Sequence, residues 1–238
     1  MINMLGYKPE SVDIYRIPLG RTEAEIQDCQ QYLSDEERQR AAKFLSASKV
    51  REFTITRSTL RQILAQTLDC DLSHITIANH PDGKPYLQFQ PGPTRVRFSV
   101  SHSQDLAMIA LTLDHDIGID VEKVRTDIDY QTLARRFFST AEYEALQDCS
   151  EQIQLQAFFA TWTRKEAIVK AHGKGIALGL KQFDVSVDPY QPPRLLVTRW
   201  EDEHMADWTL MNIDSAPGYF ASMATSGGEV SLRYRDLP

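Results

Sequence analysis

The sequence contains little of what marks secreted, membrane-spanning or thiolate-ligated proteins. Only three of its 238 residues are cysteines, Cys29, Cys70 and Cys149, and they lie far apart without a CxxC pair, so neither a disulfide framework nor a zinc site is indicated. The first residues lack the basic and apolar regions of a signal peptide. The longest apolar run, LAMIALTL at residues 106–113, is too short to cross a bilayer. We therefore expect a soluble cytoplasmic protein without a membrane partner.

Positive charge is also in short supply. The chain has 26 Lys and Arg against 33 Asp and Glu, and its formal net charge of -7 argues against a nucleic-acid partner held by overall electrostatics. An anionic ligand would have to be held by local positive charge. Three catalytic motifs are missing as well: HGKGIALGLK (residues 172–181) does not match GxxxxGK[ST], no GxSxG is present, and no two of the six histidines have metal-ligand spacing. These absences exclude P-loop NTPases, α/β-hydrolases and zincins.

An alternating segment, IGIDVEK at residues 117–123, places two acidic residues in a predicted strand. Side chains of a strand alternate between its faces, and the two faces here differ in character: Ile117, Ile119 and Val121 against Gly118, Asp120 and Glu122. The two carboxylates would stand roughly 7 Å apart. Like charges held this close need either open water or a cation between them. The missing side chain at Gly118 leaves room for something to approach.

Capping signals and apolar periodicity predict helices on both sides of this strand. Two sites have capping-box spacing: Ser34 with Glu37, and Ser139 with Glu142. Residues 50–68 form a helical pattern with Arg57 on its apolar stripe, where an arginine is rarely unpaired. The sequence leaves two explanations of Arg57 open, a structural ion pair and contact with an anionic ligand.

The segment FFATWTRKEAIVKAHGKG (residues 158–175) predicts a further helix that ends at Gly173 or Gly175. One of its faces carries residues at steps of three and four: Trp162, Glu166, Val169 and Lys170. Glu166 and Lys170 could form an exposed ion pair worth about a few tenths of a kcal/mol. Their apolar neighbours instead favour a partly buried face.

Alternation and turn residues predict strand pairs in the first half of the chain. Residues 74–87 read as two strands around a turn at residues 81–83. Residues 95–102 and 106–112 read as a hairpin that places His102 at a strand end. Three segments of the C-terminal part also read as strands: PPRLLVTRW (192–200), WTLMNI (208–213) and GYFASMAT (218–225).

Five motifs, in their order and spacing, resemble those of the surfactin-type 4'-phosphopantetheinyl transferases: GKP (83–85), FSVSHS (98–103), GIDVEK (118–123), RFFSTAE (136–142) and WTRKEAIVKAHGKG (162–175). The resemblance implies an α+β fold of two similar α/β halves, residues 1–114 and 115–238, related by a pseudo-two-fold with the active site in the cleft between them. The implied reaction transfers the 4'-phosphopantetheine arm of coenzyme A to a serine of an apo acyl or peptidyl carrier protein and releases adenosine 3',5'-bisphosphate.

The resemblance also implies roles for residues of the C-terminal half. Asp120, Glu122 and Glu166 match the residues that hold Mg²⁺ against the pyrophosphate of coenzyme A, and Mg²⁺ is a hard ion that prefers oxygen ligands. Lys165 and Lys170 match lysines that would stabilise charge on the transferred phosphate. Glu166 is also the candidate base for the serine proton.

The nucleotide end of coenzyme A would lie against the N-terminal half. The resemblance implies contacts from Lys84, Pro85, Ser101 and His102, with His102 near the 3'-phosphate. Upstream, where the match is weaker, three arginines are further candidates for the 3'-phosphate: Arg40, Arg51 and Arg57.

A carrier protein would dock beside the cleft, where Arg135 and Arg136 offer positive charge to an acidic partner. We expect the enzyme to act as a monomer. Two alternatives use the same residues: a noncatalytic module that binds coenzyme A or a carrier protein, and a metal-dependent phosphoesterase. The complete acidic set argues against the first, because a binding module has no need of it. Release of inorganic phosphate without a carrier protein would mark the second.

Overall fold

The structure, a computed structural model, describes residues 10–81, 83–89, 94–173, 179–200 and 208–238. The first half runs β1 (Ser11–Pro18), α1 (Glu23–Gln30), α2 (Asp35–Ala41), α3 (Ala47–Leu68), β2 (Ile75–Asn79), β3 (Pro85–Phe89), β4 (Val96–Ser103) and β5 (Leu106–Leu113). The second half runs β6 (Ile117–Lys123), α4 (Tyr130–Phe137), α5 (Thr140–Asp148), α6 (Glu151–His172), β7 (Phe183–Val185), β8 (Leu195–Thr198), β9 (Trp208–Asn212), β10 (Tyr219–Ser226) and β11 (Ser231–Arg235). Short 3₁₀ helices at Leu72–His74 and Leu180–Gln182 precede β2 and β7.

The two halves repeat one order of elements. Each begins with a strand, passes through two short helices to a helix of 22 residues, and returns through a two-stranded hairpin to two more strands. The pairing repeats too, because β1-β5-β4 in one sheet corresponds to β6-β10-β9 in the other, all antiparallel. This repeat confirms the predicted α+β fold of two similar halves, although no internal repeat is visible in the sequence itself.

The last strand departs from the repeat. β11 pairs in parallel with β1, with Ser11 opposite Ser231 and Tyr15 opposite Arg235, and extends the first sheet to four strands. The C-terminal segment therefore joins the sheet of the first half. The division into residues 1–114 and 115–238 stays a prediction. β11 does not follow it, because this strand belongs to the second half in sequence and to the first sheet in the fold.

The core consists of apolar clusters between layers. β5 is buried along its whole length because its alternate residues face two clusters: Ile109 and Leu111 pack with α3, whereas Met108 packs against β6 and β10 of the second sheet. Helix α6 covers the other face of the second sheet. The order of layers is thus α3, first sheet, second sheet, α6. None of the helices in the described ranges has the length and apolar character to cross a membrane.

The predicted helices are confirmed with shifts at their ends, and α6 begins at Glu151, well before the predicted start at residue 158. Both capping boxes form, at Ser34 before α2 and at Ser139 before α5. Helix α3 begins at Ala47, a few residues before the predicted start, and α6 ends at Gly173, which has a φ of 79°. Asp82 and Gly175, predicted for a turn and a helix stop, lie outside the described residues. Three elements escaped the sequence analysis: α1, β7 and β11.

Candidate functional site

The two sheets meet at their edge strands, β4 and β6, through serine side chains. Three backbone amides of β6 donate to three hydroxyls of β4: Ile119 to Ser99 at 3.0 Å, Val121 to Ser101 at 3.3 Å and Lys123 to Ser103 at 3.2 Å. We call Ser99, Ser101 and Ser103 the serine ladder. Its hydroxyls satisfy amides that an edge strand would otherwise leave unpaired. The ladder brings the strand of His102 alongside the acidic strand.

Asp120 lies at the centre of this joint with only 4% of its surface exposed. Its Oδ1 accepts hydrogen bonds from Ser101 Oγ at 2.8 Å and from Lys170 Nζ at 2.6 Å. Its Oδ2 is buried and has no hydrogen-bond partner among the described residues. A solvated strand face is therefore excluded, and a buried carboxylate oxygen without a partner is costly unless a ligand satisfies it.

Two further carboxylates, Glu122 and Glu166, lie close enough to Asp120 to be affected by its charge. Glu122 Oε2 accepts a hydrogen bond from Ser103 Oγ at 2.7 Å. Burial raises the pKa of Glu122, and the charge of Asp120 raises it further. Burial also raises the pKa of Glu166, with the charges of Asp120 and Glu122 as additional causes. The charge of Asp120 thus makes ionisation of both Glu122 and Glu166 less favourable, and a cation among the three side chains would remove that penalty.

Helix α6 reaches the acidic strand because Gly118 has no side chain. A Cβ at Gly118 would lie 2.0 Å from the carbonyl oxygen of Ala167 and 2.4 Å from the backbone nitrogen of Ala171. The backbone of α6 therefore packs directly on β6 and carries Glu166 and Lys170 to the carboxylates. The space that the sequence predicts at Gly118 is filled by this helix.

The donor set fits a hard divalent cation. Asp120, Glu122 and Glu166 offer only oxygen, the ligand type that Mg²⁺ takes, and one of these oxygens is the unpartnered Oδ2 of Asp120. Across the described ranges, no three His, Cys, Asp or Glu side chains are arranged as a formed metal site. Mg²⁺ commonly completes a partial shell of carboxylates with water and substrate phosphate oxygens, so a partial set is compatible with it.

A cavity of about 320 Å³ is lined by residues of the first half, among them Arg40, Lys49, Phe53, Arg57 and His102. The guanidinium carbons of Arg40 and Arg57 lie 5.3 and 5.4 Å from the centre of the Phe53 ring. Arg57 also lies 3.7 Å from Glu37, and burial lowers its pKa. Arg57 is therefore both a member of an ion pair and a cation at a cavity, so the two explanations left open by the sequence are compatible.

His102 faces a carboxylate in this cavity. Its Nε2 lies 3.3 Å from Glu52 Oε1, and Lys49 Nζ donates to both oxygens of Glu52 at 3.0 and 3.1 Å. Partial burial lowers the pKa of His102, and Glu52 opposes that shift. The cavity thus combines two arginines, a lysine and a histidine with one carboxylate, Glu52, and this excess of basic groups suits an anionic ligand.

A second cavity, of about 280 Å³, connects this basic region with α6. Its lining includes Lys84, Pro85 and Val100 from the first half and Glu166, Val169 and Lys170 from α6. Pro85 and Val100 line both cavities, so the two are adjacent. Lys84 Nζ donates to the carbonyl of Ala171 at 3.1 Å and so bridges the halves. Together the cavities form a groove from the arginines to Glu166 and Lys170.

Two of the residues predicted for this site lie elsewhere. Lys165 is completely buried, and its Nζ donates to both oxygens of Glu142 at 2.6 and 2.7 Å and to the carbonyl of Phe183 at 2.8 Å. It points about 100° away from Glu166 around the helix, into the core. Contrary to the prediction, Lys165 is not available to a phosphate in the cleft. Arg51 is half-exposed and pairs with Glu23 at 2.9 Å, away from the cavity lining.

Several residues that shape the site were not predicted from the sequence. Ser99 and Ser103 complete the ladder, and Glu52 faces His102. The serines could have been found from the sequence, because in SVSHS they occur at every second residue, as the acidic residues of β6 do, and so share one face of their strand. Glu52 and the Glu142 partner of Lys165 have no such signal, since their partners lie far away in the sequence or on another element.

Comparison with known families agrees with this site. The family model described as the 4'-phosphopantetheinyl transferase superfamily matches residues 116–222, and the model described as 4'-phosphopantetheinyl transferase, N-terminal, matches residues 20–113. The two matches together include the ladder, the acidic strand and α6.

Three proteins that are similar to this chain are also named as phosphopantetheinyl transferases. The 4'-phosphopantetheinyl transferase HetI of Nostoc sp. is 34% identical over 92% of this chain and 89% of its own length. The L-aminoadipate-semialdehyde dehydrogenase-phosphopantetheinyl transferase of Homo sapiens is 25% identical over 87% of this chain and 71% of its own. The gsp transferase of Aneurinibacillus migulanus is 29% identical over 63% of this chain and 60% of its own.

The chain belongs to the 4'-phosphopantetheinyl transferase superfamily. Its activity is that of the class, the transfer of the 4'-phosphopantetheine arm from coenzyme A to a carrier protein. A noncatalytic binding module and a phosphoesterase are not favoured.

Proposed function

We propose that the groove binds coenzyme A along its length, with the nucleotide end in the basic cavity of the first half and the pyrophosphate at Asp120, Glu122 and Glu166. The observation that carries this proposal is the buried, unpartnered Oδ2 of Asp120 beside two carboxylates whose pKa values are raised. Such a cluster stores repulsion that a cation relieves. The basic cavity next to it suits the phosphate groups of the co-substrate.

Asp120, Glu122 and Glu166 would hold Mg²⁺. When bound, the ion supplies positive charge that stabilises the developing negative charge of phosphoryl transfer. Lys170 contributes a second positive charge from the protein, because its ammonium is already fixed by Asp120, Ser101 and the carbonyl of Ile119. A pre-positioned ammonium needs no reorganisation during the reaction.

Glu166 is the proposed acceptor of the proton of the carrier-protein serine. It lines the cavity that adjoins the basic region, so a substrate in the groove would lie against it. The proton passes from the serine hydroxyl to Glu166 as the hydroxyl oxygen forms a bond to the phosphorus of the pantetheine-linked phosphate. The bond from that phosphorus to the bridging oxygen of the pyrophosphate breaks, and adenosine 3',5'-bisphosphate leaves.

His102, Arg57 and Arg40 would bind the 3'-phosphate, and Lys84 and Pro85 would line the path to the pyrophosphate. The support is their common lining of the two adjacent cavities. His102 must exchange its contact with Glu52 for a contact with the ligand, because a carboxylate and a phosphate repel each other. Ser101 belongs to the ladder, and its proposed contribution is to Asp120 and Lys170.

An acidic apo acyl or peptidyl carrier protein would dock on α4. Arg135 donates to the hydroxyl of Tyr143 at 3.1 Å, and Arg136 lies 5.0 Å from the centre of the Phe137 ring, so both cations are held at an exposed surface. Positive charge there would offset the long-range repulsion expected from a net charge of -7. The surfactin-type subgroup, the cytoplasmic location and the monomeric state stay predictions of the sequence.

The test is incubation of the enzyme with coenzyme A and an apo carrier protein, with and without Mg²⁺, read by intact mass of the carrier. We expect the carrier to gain the mass of one phosphopantetheine arm only when Mg²⁺ is present. Equal transfer after exhaustive chelation would contradict the metal assignment. Release of inorganic phosphate from coenzyme A without any carrier would instead support a phosphoesterase.

A further inference from the structure

The third serine of the ladder, Ser103, makes two hydrogen bonds to neighbouring residues of β6. Its Oγ accepts from the backbone amide of Lys123 at 3.2 Å and donates to Glu122 Oε2 at 2.7 Å. A serine hydroxyl has one proton to donate, so that proton is committed to the carboxylate. The side chain that holds Glu122 therefore comes from the other half of the molecule.

The members of the ladder differ in what they donate to. Ser101 donates to Asp120 Oδ1 at 2.8 Å, and Ser103 donates to Glu122 in the same way. Ser99 accepts the amide of Ile119 and makes no bond to a carboxylate of the described residues. Two members thus combine a structural bond with a bond to an acidic residue, and one member provides the structural bond alone.

We propose that Ser103 is a positioning residue that orients Glu122 for the divalent cation, so that the metal site is complete only when the two halves are joined along the ladder. The inference rests on the proposed binding of Mg²⁺ by Asp120, Glu122 and Glu166. Groups that hydrogen-bond to a metal ligand fix its orientation, and their loss typically weakens metal binding by about 10–100-fold.

Ser103 is well placed for this role because, within the described ranges, it makes the one hydrogen bond to the Glu122 carboxylate. Ser103 and Glu122 lie on adjacent edge strands, and Ser103 is 9% exposed, so its hydrogen bond is protected from water. Asp120, by contrast, is held by both Ser101 and Lys170. We therefore expect loss of the Ser103 hydroxyl to be felt mainly at Glu122.

The experiment is calorimetric titration of Mg²⁺ into the whole enzyme saturated with coenzyme A, without carrier protein so that no transfer occurs. Ser103→Ala is compared with Ser99→Ala, which loses the same kind of amide acceptor without removing a hydrogen bond to Asp120, Glu122 or Glu166. We expect the Kd for Mg²⁺ to rise about 10-fold in Ser103→Ala and less than about 3-fold in Ser99→Ala. Ser103→Thr, which keeps the hydroxyl, should recover most of the affinity.

Equal Kd values for Ser103→Ala and wild type, or equal increases in Ser103→Ala and Ser99→Ala, would overturn the role of Ser103 while leaving the metal site intact. No Mg²⁺ binding by the wild type would overturn the metal site and this inference together. If Ser103→Ala fails to fold, Ser103→Cys replaces it, because a thiol is a weak donor of similar shape. An unchanged Kd in Ser103→Cys would likewise contradict the proposal.

Discussion

Two buried aspartates, Asp13 and Asp120, lie on the first strand of each half, and they are paired differently. Asp13 accepts at both oxygens, from Arg233 Nε at 2.6 Å and from Arg235 Nε at 3.1 Å, and so fastens β11 to β1. Asp120 is paired at Oδ1 only, and its Oδ2 is left without a partner in the described part of the chain. The fully paired aspartate stabilises the fold, whereas the half-paired one leaves an oxygen for a ligand.

The capping-box glutamates Glu37 and Glu142 can also be compared, because each pairs with a buried cation of the long helix in its own half. Glu37 lies 3.4 Å from Arg61, and Glu142 binds Lys165 at 2.6 Å. Arg61 and Lys165 both occupy the fifteenth position of a 22-residue helix. The next position is Gln62 in α3 and Glu166 in α6. The structural pair is thus repeated in both halves, but the acidic residue beside it occurs only in the half with the acidic strand.

Removing each aspartate in turn tests whether Asp13 and Asp120 have different roles. We expect Asp120→Ala to lower kcat/KM for transfer by about 1000-fold with little loss of stability, because it removes a proposed metal ligand from a site whose carboxylates repel each other. Asp13→Ala should lower the free energy of unfolding by about 2–3 kcal/mol, since its arginines are partly exposed and lose less than fully buried ones. Steady-state kinetics and urea unfolding of both variants provide the test. Similar losses of stability in the two would contradict the comparison.

Gly118→Ala should separate the helix from the acidic strand. The new Cβ would meet the Ala167 carbonyl at 2.0 Å, so α6 must shift and carry Glu166 and Lys170 out of position. Because misplacement by 1 Å can cost about 100-fold in rate, we expect a loss of that size together with a lower melting temperature. Gly20→Ala is the control, because a Cβ at Gly20 meets nothing within 4 Å. Normal kinetics in Gly118→Ala would disprove the direct packing of α6 on β6.

Lys165→Met tests the second comparison. It leaves Glu142 buried without its cation and should reduce the free energy of unfolding by about 3 kcal/mol. At temperatures where the variant is folded, the KM for coenzyme A should stay close to the wild-type value, because Lys165 does not reach the cleft. Lys170→Met provides the contrast and should reduce kcat. An increase in the KM for coenzyme A in Lys165→Met without loss of stability would indicate that Lys165 contributes to coenzyme A binding.

His102→Ala should have a smaller effect, confined to one part of the co-substrate. If His102 binds the 3'-phosphate, the KM for coenzyme A should rise about 10-fold, while the KM for 3'-dephospho-coenzyme A should hardly change. The measurement is a pair of saturation curves at one pH. Equal increases for the two compounds would assign His102 a structural role.

The smallest expected effect is a pH dependence of stability without metal. Glu122 and Glu166 have raised pKa values in the folded state, so between the ordinary glutamate pKa and the raised values the folded state binds more protons than the unfolded state. Stability in chelator should therefore increase as the pH falls through this window. The slope should decrease in Glu166→Gln. Urea unfolding at a series of pH values measures it, and an unchanged slope in the variant would exclude Glu166 as a source.

Much of this site could be predicted from the sequence, because local patterns position its strands and helices. Alternation placed Asp120 and Glu122 on one face, and helical spacing placed Glu166 and Lys170 together. The burial of Lys165 could not be predicted, because it depends on Glu142 from another helix. The joint of β4 and β6 was also missed. Its bonds join backbone amides of one edge strand to serine hydroxyls of another, and the only sign of them in the sequence is the alternation of the serines.

The most direct test of the central claim is the melting temperature of the enzyme with coenzyme A, with and without Mg²⁺. A ligand that binds only the folded state raises the melting temperature. We predict that Mg²⁺ raises it for the wild type and for Asp13→Asn, in which the acidic cleft is intact, and not for Asp120→Asn. The same increase in Asp120→Asn as in the wild type would contradict the claim that the half-paired aspartate holds the ion.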